Sequence, residues 1–180
     1  MTKKDKTSNN QRIFRWGKDI IVLLLITLSL FMCNSCRKQQ DNEILIPDLA
    51  PQETESNIEM IPNDTDPQPD NTSGGAVRLL YSDQITINLS EAVASIYFGT
   101  PRRSNQDMIL QITIQDKVIA QSELIPAGYQ IMNLSLLPDV VPLLQPGMYS
   151  GKFVVYYYDQ VTDKLAAVNT EIPVNITVSK

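Results

Sequence analysis

From Ala76 to the C-terminus, apolar and polar side chains alternate with a period of two. Successive side chains of a strand point to opposite faces, so this pattern predicts half-buried β-strands. Residues 77–81 form a short first strand. Ile85, Ile87 and Leu89 alternate with Thr86, Asn88 and Ser90, and Ala94, Ile96 and Phe98 alternate with Val93, Ser95 and Tyr97. A turn cluster, Gly99-Thr100-Pro101-Arg102-Arg103-Ser104, follows. Met108, Leu110, Ile112 and Ile114 then share one face, opposite Ile109, Gln111, Thr113 and Gln115. A turn at Asp116-Lys117 leads into residues 118–122 as a hairpin that lacks the favoured Asn-Gly pair. Met132, Leu134 and Leu136 alternate with Ile131, Asn133 and Ser135, which places the two sets on opposite faces. Pro138, Pro142 and Pro146 forbid a long helix over 137–147 and leave room for a single turn. In the next strand Tyr149, Gly151, Phe153, Val155 and Tyr157 form one face, with Ser150, Lys152, Val154, Tyr156 and Tyr158 on the outward one. Residues 164–169 and 172–178 supply the last two strands, with Val174, Ile176 and Val178 inward. Eight or so short strands and no amphipathic helix predict an all-β fold, a single antiparallel β-sandwich over residues 77–180.

Upstream the pattern changes. Residues 20–33 (IIVLLLITLSLFMC) are uncharged and have no polar face. As a helix they span roughly 21 Å, or about 26 Å if counted to Cys36, against about 30 Å for a hydrocarbon core. Residues 1–19 carry Lys3, Lys4, Lys6, Arg12, Arg15 and Lys18 against Asp5 and Asp19. The excess of positive charge on this side keeps the N-terminus cytoplasmic and exports the remainder. Residues 20–36 therefore read as a signal or anchor segment at a bacterial cell membrane, with an extracellular C-terminal domain. Three forms stay open. An uncleaved anchor would use Trp16 at the interface. A lipoprotein would carry lipid on Cys36, which follows the small Ser35, or on Cys33, which has Leu30 three residues before it. A cleaved, secreted chain is the third form, although no small-x-small site follows the run.

Residues 37–76 are acidic and rich in proline. Between Gln39 and Ala76 stand nine acids and no Lys or Arg, with Pro47, Pro51, Pro62, Pro67 and Pro69, and Gly74-Gly75 near the end. Large apolar residues are confined to Ile44-Leu45-Ile46 and to Ile58, Met60 and Ile61. Such a composition does not offset chain entropy, so an extended, disordered spacer is expected.

The charge and the residue inventory narrow the chemistry. The net charge is −5, and clustered Lys/Arg for phosphate neutralisation is missing from the domain, which argues against nucleic acid. Histidine is absent and both cysteines precede the domain, which excludes Ser-His-Asp and Cys-His nucleophilic catalysis there. Cys33-x-x-Cys36 has neither the further ligands that zinc requires nor a thioredoxin-like context. Asn63-Asp64-Thr65-Asp66 has the spacing of an acidic calcium loop but lacks its glycine and closing glutamate. Asp107, Asp116, Glu123, Asp139, Asp159, Asp163 and Glu171 fall mostly at turns and strand ends, where solvated carboxylates are the norm. Ser150 and Lys152 share a strand face and read as a surface polar pair. No enzyme activity, cofactor or metal is expected.

Two features suit contact with a partner. Tyr156 and Tyr158, with Lys152 on the same outward face, would form an aromatic platform if that face is open, or pack on neighbours or under a loop if it is not. Arg102 and Arg103 at a turn tip stand out in an acidic chain, and would meet a wall polymer or the acids of a partner.

Leu144-Gln145-Pro146-Gly147-Met148-Tyr149, followed by the strand at 150–159, resembles the corner before a late strand in fibronectin type III and related immunoglobulin-like domains. Proline and glycine set such a turn, and the tyrosine hydroxyl bonds back to its backbone. The layout of signal or anchor, acidic linker and one β-domain is similar to that of small Gram-positive surface proteins. The resemblance implies an immunoglobulin-like fold and an envelope location. The function expected is a non-enzymatic, membrane-tethered module for protein interaction, adhesion or envelope scaffolding. The alternative is a ligand- or wall-polymer-binding lipoprotein accessory to a transport or conjugation apparatus. A carboxylate-dependent hydrolase is a third reading.

Overall fold

The computed structural model describes residues 45–65, 67 and 77–180. Among the described residues nine strands run in the order β1 (Ile58–Met60), β2 (Leu80–Tyr81), β3 (Gln84–Asn88), β4 (Val93–Thr100), β5 (Gln106–Ile114), β6 (Lys117–Gln121), β7 (Tyr129–Ser135), β8 (Gly147–Asp159) and β9 (Thr170–Ser179). They form one sheet in the order β1-β7-β4-β3-β9-β8-β5-β6, with β2 beside β4. The sheet curls into a half-barrel, so that its β6 side returns towards β7. Ala120 bridges Leu136, and the Leu137 N–H donates to the Ile119 carbonyl. The only helical element among the described residues is a 3-10 turn at Val141–Leu143, the single turn that the prolines allow.

The period-two pattern built the core. Ile85, Ile87, Ala94, Ile96, Phe98, Met108, Leu110, Ile112, Phe153, Val155, Val174, Ile176 and Val178 are all buried on the concave side. Phe98 of β4 and Phe153 of β8 meet edge to face, with centroids 5.5 Å apart. Strand β8 pairs with β5 over Gly151–Asp159 and with β9 over Gly147–Val155, so both its edges are paired over 151–155. Gly151, near its start, has no room for a side chain. A Cβ there would lie 2.5 Å from both Ile176 Cδ1 and the Thr113 carbonyl oxygen. The corner before β8 forms as the sequence predicts, with the Tyr149 hydroxyl donating to the Gln145 carbonyl at 2.8 Å.

Several expectations are corrected. The sheet is mixed, not antiparallel throughout, because β3 lies parallel to β9 with Ile85 beside Ile176. The other edge of β3 pairs antiparallel with β4, so this one short strand joins the two halves of the sheet. The β7 alternation breaks as well. Ile131 is buried with Leu134 and Leu136, while Met132 is 42 % exposed. A register shift between Ser95 and Phe98 of β4 lies opposite this point, and a bulge of that kind turns side chains to the other face. Residues 164–169 form no strand. Lys164 and Leu165 make isolated bridges only, to Leu49 and Tyr158.

The largest difference lies in the stretch expected as a spacer. Residues 45–64 run along the domain as a strap. The Leu165 N–H donates to Asp48, and the Ala50 N–H donates to Asp163. The Glu55 N–H then donates to Leu124, after which β1 pairs with β7, Ile58 facing Ile131. The strap ends where the Asp64 carboxylate accepts the Arg102 N–H. Composition favours disorder only when nothing is buried. Here Ile46 and Ile58, from the two apolar patches of the stretch, are partly buried and pack on the domain. The apolar segment at 20–36, with Cys33 and Cys36, lies outside the described residues. Among the described residues no helix is long and apolar enough to cross a membrane.

The pairing also defines two ends. Turns 101–105, 122–128 and 159–169 lie at one end, where the strap enters. Turns 89–92, 115–116 and 136–146 lie at the other.

Candidate functional site

Strand β8 places Lys152, Tyr156 and Tyr158 on its outward face, as alternation requires. The face is not open along its length. Tyr158 is 1 % exposed and belongs to a small outer cluster with Ile109 and Leu124. Ile46 and Ala50 of the strap, together with Leu165, pack against that cluster. The Tyr158 hydroxyl donates to the Pro47 carbonyl at 2.9 Å. Burial, first, and then the nearby Asp48 carboxylate push the Tyr158 phenol above its ordinary pKa. Tyr156 is half-buried against the same cluster. Of the two outcomes open for this face, the packed one holds at Tyr158, which the chain's own strap covers.

Lys152 is held by carboxylates rather than left for a ligand. Its Nζ lies 2.9 Å from Glu171 and 3.5 Å from Asp116. The hydrogen bond that Lys152 donates to the Glu171 carboxylate is the main cause of its raised pKa. The outward row next to it is also paired internally, with Gln111 Nε2 donating to Gln121 Oε1 at 2.6 Å.

Arg102 and Arg103 lie in the exposed turn after β4. Arg102 borders a shallow groove of about 560 Å³, together with Met60, Ile61, Pro62, Asp64 and Gly128. Gly128 is in a left-handed conformation at φ 92°, and a Cβ there would lie 2.9 Å from Arg102 Cγ. The close approach of that side chain therefore depends on glycine. Asn63, Asp64 and Thr65 of the candidate calcium loop line this groove, Asp66 lies outside the described residues, and the Asp64 carboxylate accepts the Arg102 N–H at 2.6 Å. Among the described residues no group of three or more His, Cys, Asp or Glu is placed to hold a metal ion.

The structure therefore does not gather the candidate residues into one site. Tyr158 lies under the strap and Tyr156 packs on the cluster beside it, Lys152 is ion-paired elsewhere on β8, and Arg102 borders the groove beside the end of the strap. Sequence reasoning missed the strap residues Ile46, Pro47, Glu55 and Asp64. Glu55 is buried, and its carboxylate accepts the Glu123 N–H at 3.0 Å. The signal available was the pair of apolar patches at 44–46 and 58–61 inside an otherwise acidic stretch.

No protein-family model matches the chain, and no curated protein matches it. Among solved structures, the chain is weakly similar to AggA, the major subunit of aggregative adherence fimbriae type I from Escherichia coli. That likeness has a TM-score of 0.32 at 13% sequence identity, and covers 60% of this chain and 97% of that chain.

Proposed function

We propose that the chain is a membrane-tethered, non-enzymatic module at the bacterial cell surface, serving protein interaction, adhesion or envelope scaffolding. The observation that carries this reading is the join between two kinds of segment. An uncharged apolar run at 20–33 follows a basic N-terminus, and soon afterwards the chain becomes a strap bound to a folded β-domain. A domain held in this way suits display rather than turnover. An immunoglobulin-like reading of the fold is supported by two runs of strands, β1-β7-β4-β3 and β9-β8-β5-β6, and by the tyrosine corner before β8.

Fractionation combined with protease treatment of intact cells tests the location. The expected result is membrane-associated protein whose domain is lost to external protease, and recovery in the cytosol removes the premise. Mass spectrometry of the membrane fraction then separates lipid on Cys36 or Cys33 from an uncleaved anchor.

The groove beside Arg102 favours a second reading, a lipoprotein that binds an anionic wall polymer. Titration with a purified acidic wall polymer tests it. Binding that Arg102→Glu abolishes would support it, and binding unchanged by that substitution would exclude the groove.

A further inference from the structure

The strap changes how far the domain can stand from the surface that anchors it. Had residues 37–76 been a free spacer, the domain would reach more than 100 Å outward. With residues 45–64 bound to the domain, only residues 37–44 remain between Cys36 and the first strap residue. Fully extended, that stretch spans at most about 29 Å. The strap also enters at a defined end of the domain, where Leu49 bridges Lys164 and the Ala50 N–H meets Asp163.

That end carries exposed aliphatic side chains. Leu45 is 80 % exposed, Leu49 is 58 % exposed, and Val161, in the adjoining 159–163 turn, is 68 % exposed. The turn itself is firm. Asp159 accepts the N–H groups of Val161 and Thr162 and the Thr162 hydroxyl, which fixes Val161 at its tip. Three aliphatics fringing the point where a short tether arrives are placed to enter a lipid interface. Burial of their apolar surface there is favourable.

We propose that this end of the domain rests on the outer leaflet of the membrane that anchors the chain, with Leu45, Leu49 and Val161 inserted among the lipid headgroups. The inference rests on the membrane-tethered reading above. Around the three aliphatics stand Asp48, Asp159 and Asp163 beside Lys164, and turn 101–105 of the same end adds the exposed Arg102 and Arg103. With both signs present, the end suits a zwitterionic lipid surface. The end opposite, with turns 89–92, 115–116 and 136–146, is then presented outward.

The test uses the full chain reconstituted in phosphatidylcholine vesicles with brominated acyl chains, which quench nearby tryptophan. Trp16 is the single tryptophan, so Trp16→Phe gives a silent background. Val161→Trp on that background reports the strap end, and Leu143→Trp reports the opposite end, where Leu143 is exposed. The expected result is blue-shifted, quenched emission from Val161→Trp and water-like, unquenched emission from Leu143→Trp. Co-flotation of the chain with vesicles is read in parallel. A chain that floats while both tryptophans stay unquenched overturns the docked orientation and leaves the tether intact. A chain that does not float overturns both readings.

Discussion

The Tyr158 hydroxyl donates to the Pro47 carbonyl at 2.9 Å, joining residues 111 positions apart in sequence. Tyr158 thus holds the strap by its ring and by its oxygen. Removing the oxygen alone leaves the ring in place, so Tyr158→Phe is expected to cost about 1 kcal/mol. Tyr158→Ala also removes the packing with Ile109 and Leu124, and is expected to cost about 3 kcal/mol. The loss should first appear locally. Hydrogen exchange at the Ala50 and Leu165 amides, which pair strap with domain, should speed up in Tyr158→Ala before the β8 amides respond.

The β5–β6 hairpin carries a correctable strain. Gln115 and Asp116 both adopt left-handed backbone, at φ 51° and 61°. A two-residue turn with positive φ at both central positions favours Asn-Gly. Left-handed backbone at a residue with a Cβ costs roughly 1–2 kcal/mol. Replacing the pair by Asn-Gly is expected to stabilise the domain by about 1 kcal/mol, read as a higher denaturation midpoint with unchanged denaturant slope. The change removes the Asp116 carboxylate 3.5 Å from Lys152. That exposed contact contributes little, and Lys152 keeps Glu171.

How much of this was legible beforehand depended on whether the controlling interactions were local. Alternation in β3, β4 and β9 names the buried face correctly, because period two is a property of each strand by itself; in β5 and β8 it sorts the two faces, but Ile109, Gln111, Thr113, Val154 and Tyr158 of the outward set are buried as well. The Tyr149 corner was legible for the same reason, since its hydroxyl reaches only to Gln145. Partners distant in sequence were not legible. Nothing near Ile85 indicates that its parallel neighbour is Ile176. The phase of Met132 depends on a bulge in a different strand. The strap escaped composition because two short apolar patches decide its fate, and their partners Ile109, Leu124, Ile131 and Tyr158 lie 50 residues or more downstream. Tyr156 and Tyr158 share the outward face as alternation requires, but what covers Tyr158 comes from far upstream.

Gly151 tests the claim that β8 is packed as tightly as a central strand must be. The space a methyl group would take is filled by Ile176 Cδ1 and by backbone from Thr113. Ile176 has a flexible tip, but the carbonyl of a paired strand cannot retreat without breaking the β5–β8 ladder. Gly151→Ala is therefore expected to destabilise the domain by about 2 kcal/mol. Thermal melts check it, with Ser150→Ala on the exposed face as the neutral control.

Stability should also fall at alkaline pH, through two tyrosines of β8. Burial raises the pKa of Tyr157, against a smaller opposing effect of its 2.7 Å hydrogen bond to Thr170. Burial also raises that of Tyr158, with Asp48 adding to it. Both groups hold their protons more tightly folded than unfolded. Their contribution is fully present below the unfolded value of about 10 and is lost as pH rises through the folded values. Asp159 works in the other direction. The Thr162 N–H, then its hydroxyl and the Val161 N–H, lower its pKa, so its turn is favoured above the ordinary carboxylate range and loosens as pH falls. The chain has seven tyrosines, and absorbance titration of the folded protein should show a late phase that the double variant Tyr157→Phe, Tyr158→Phe removes. The same variant should show a smaller fall in melting temperature above pH 10 than the native chain. A fall of equal size would place the alkaline sensitivity elsewhere.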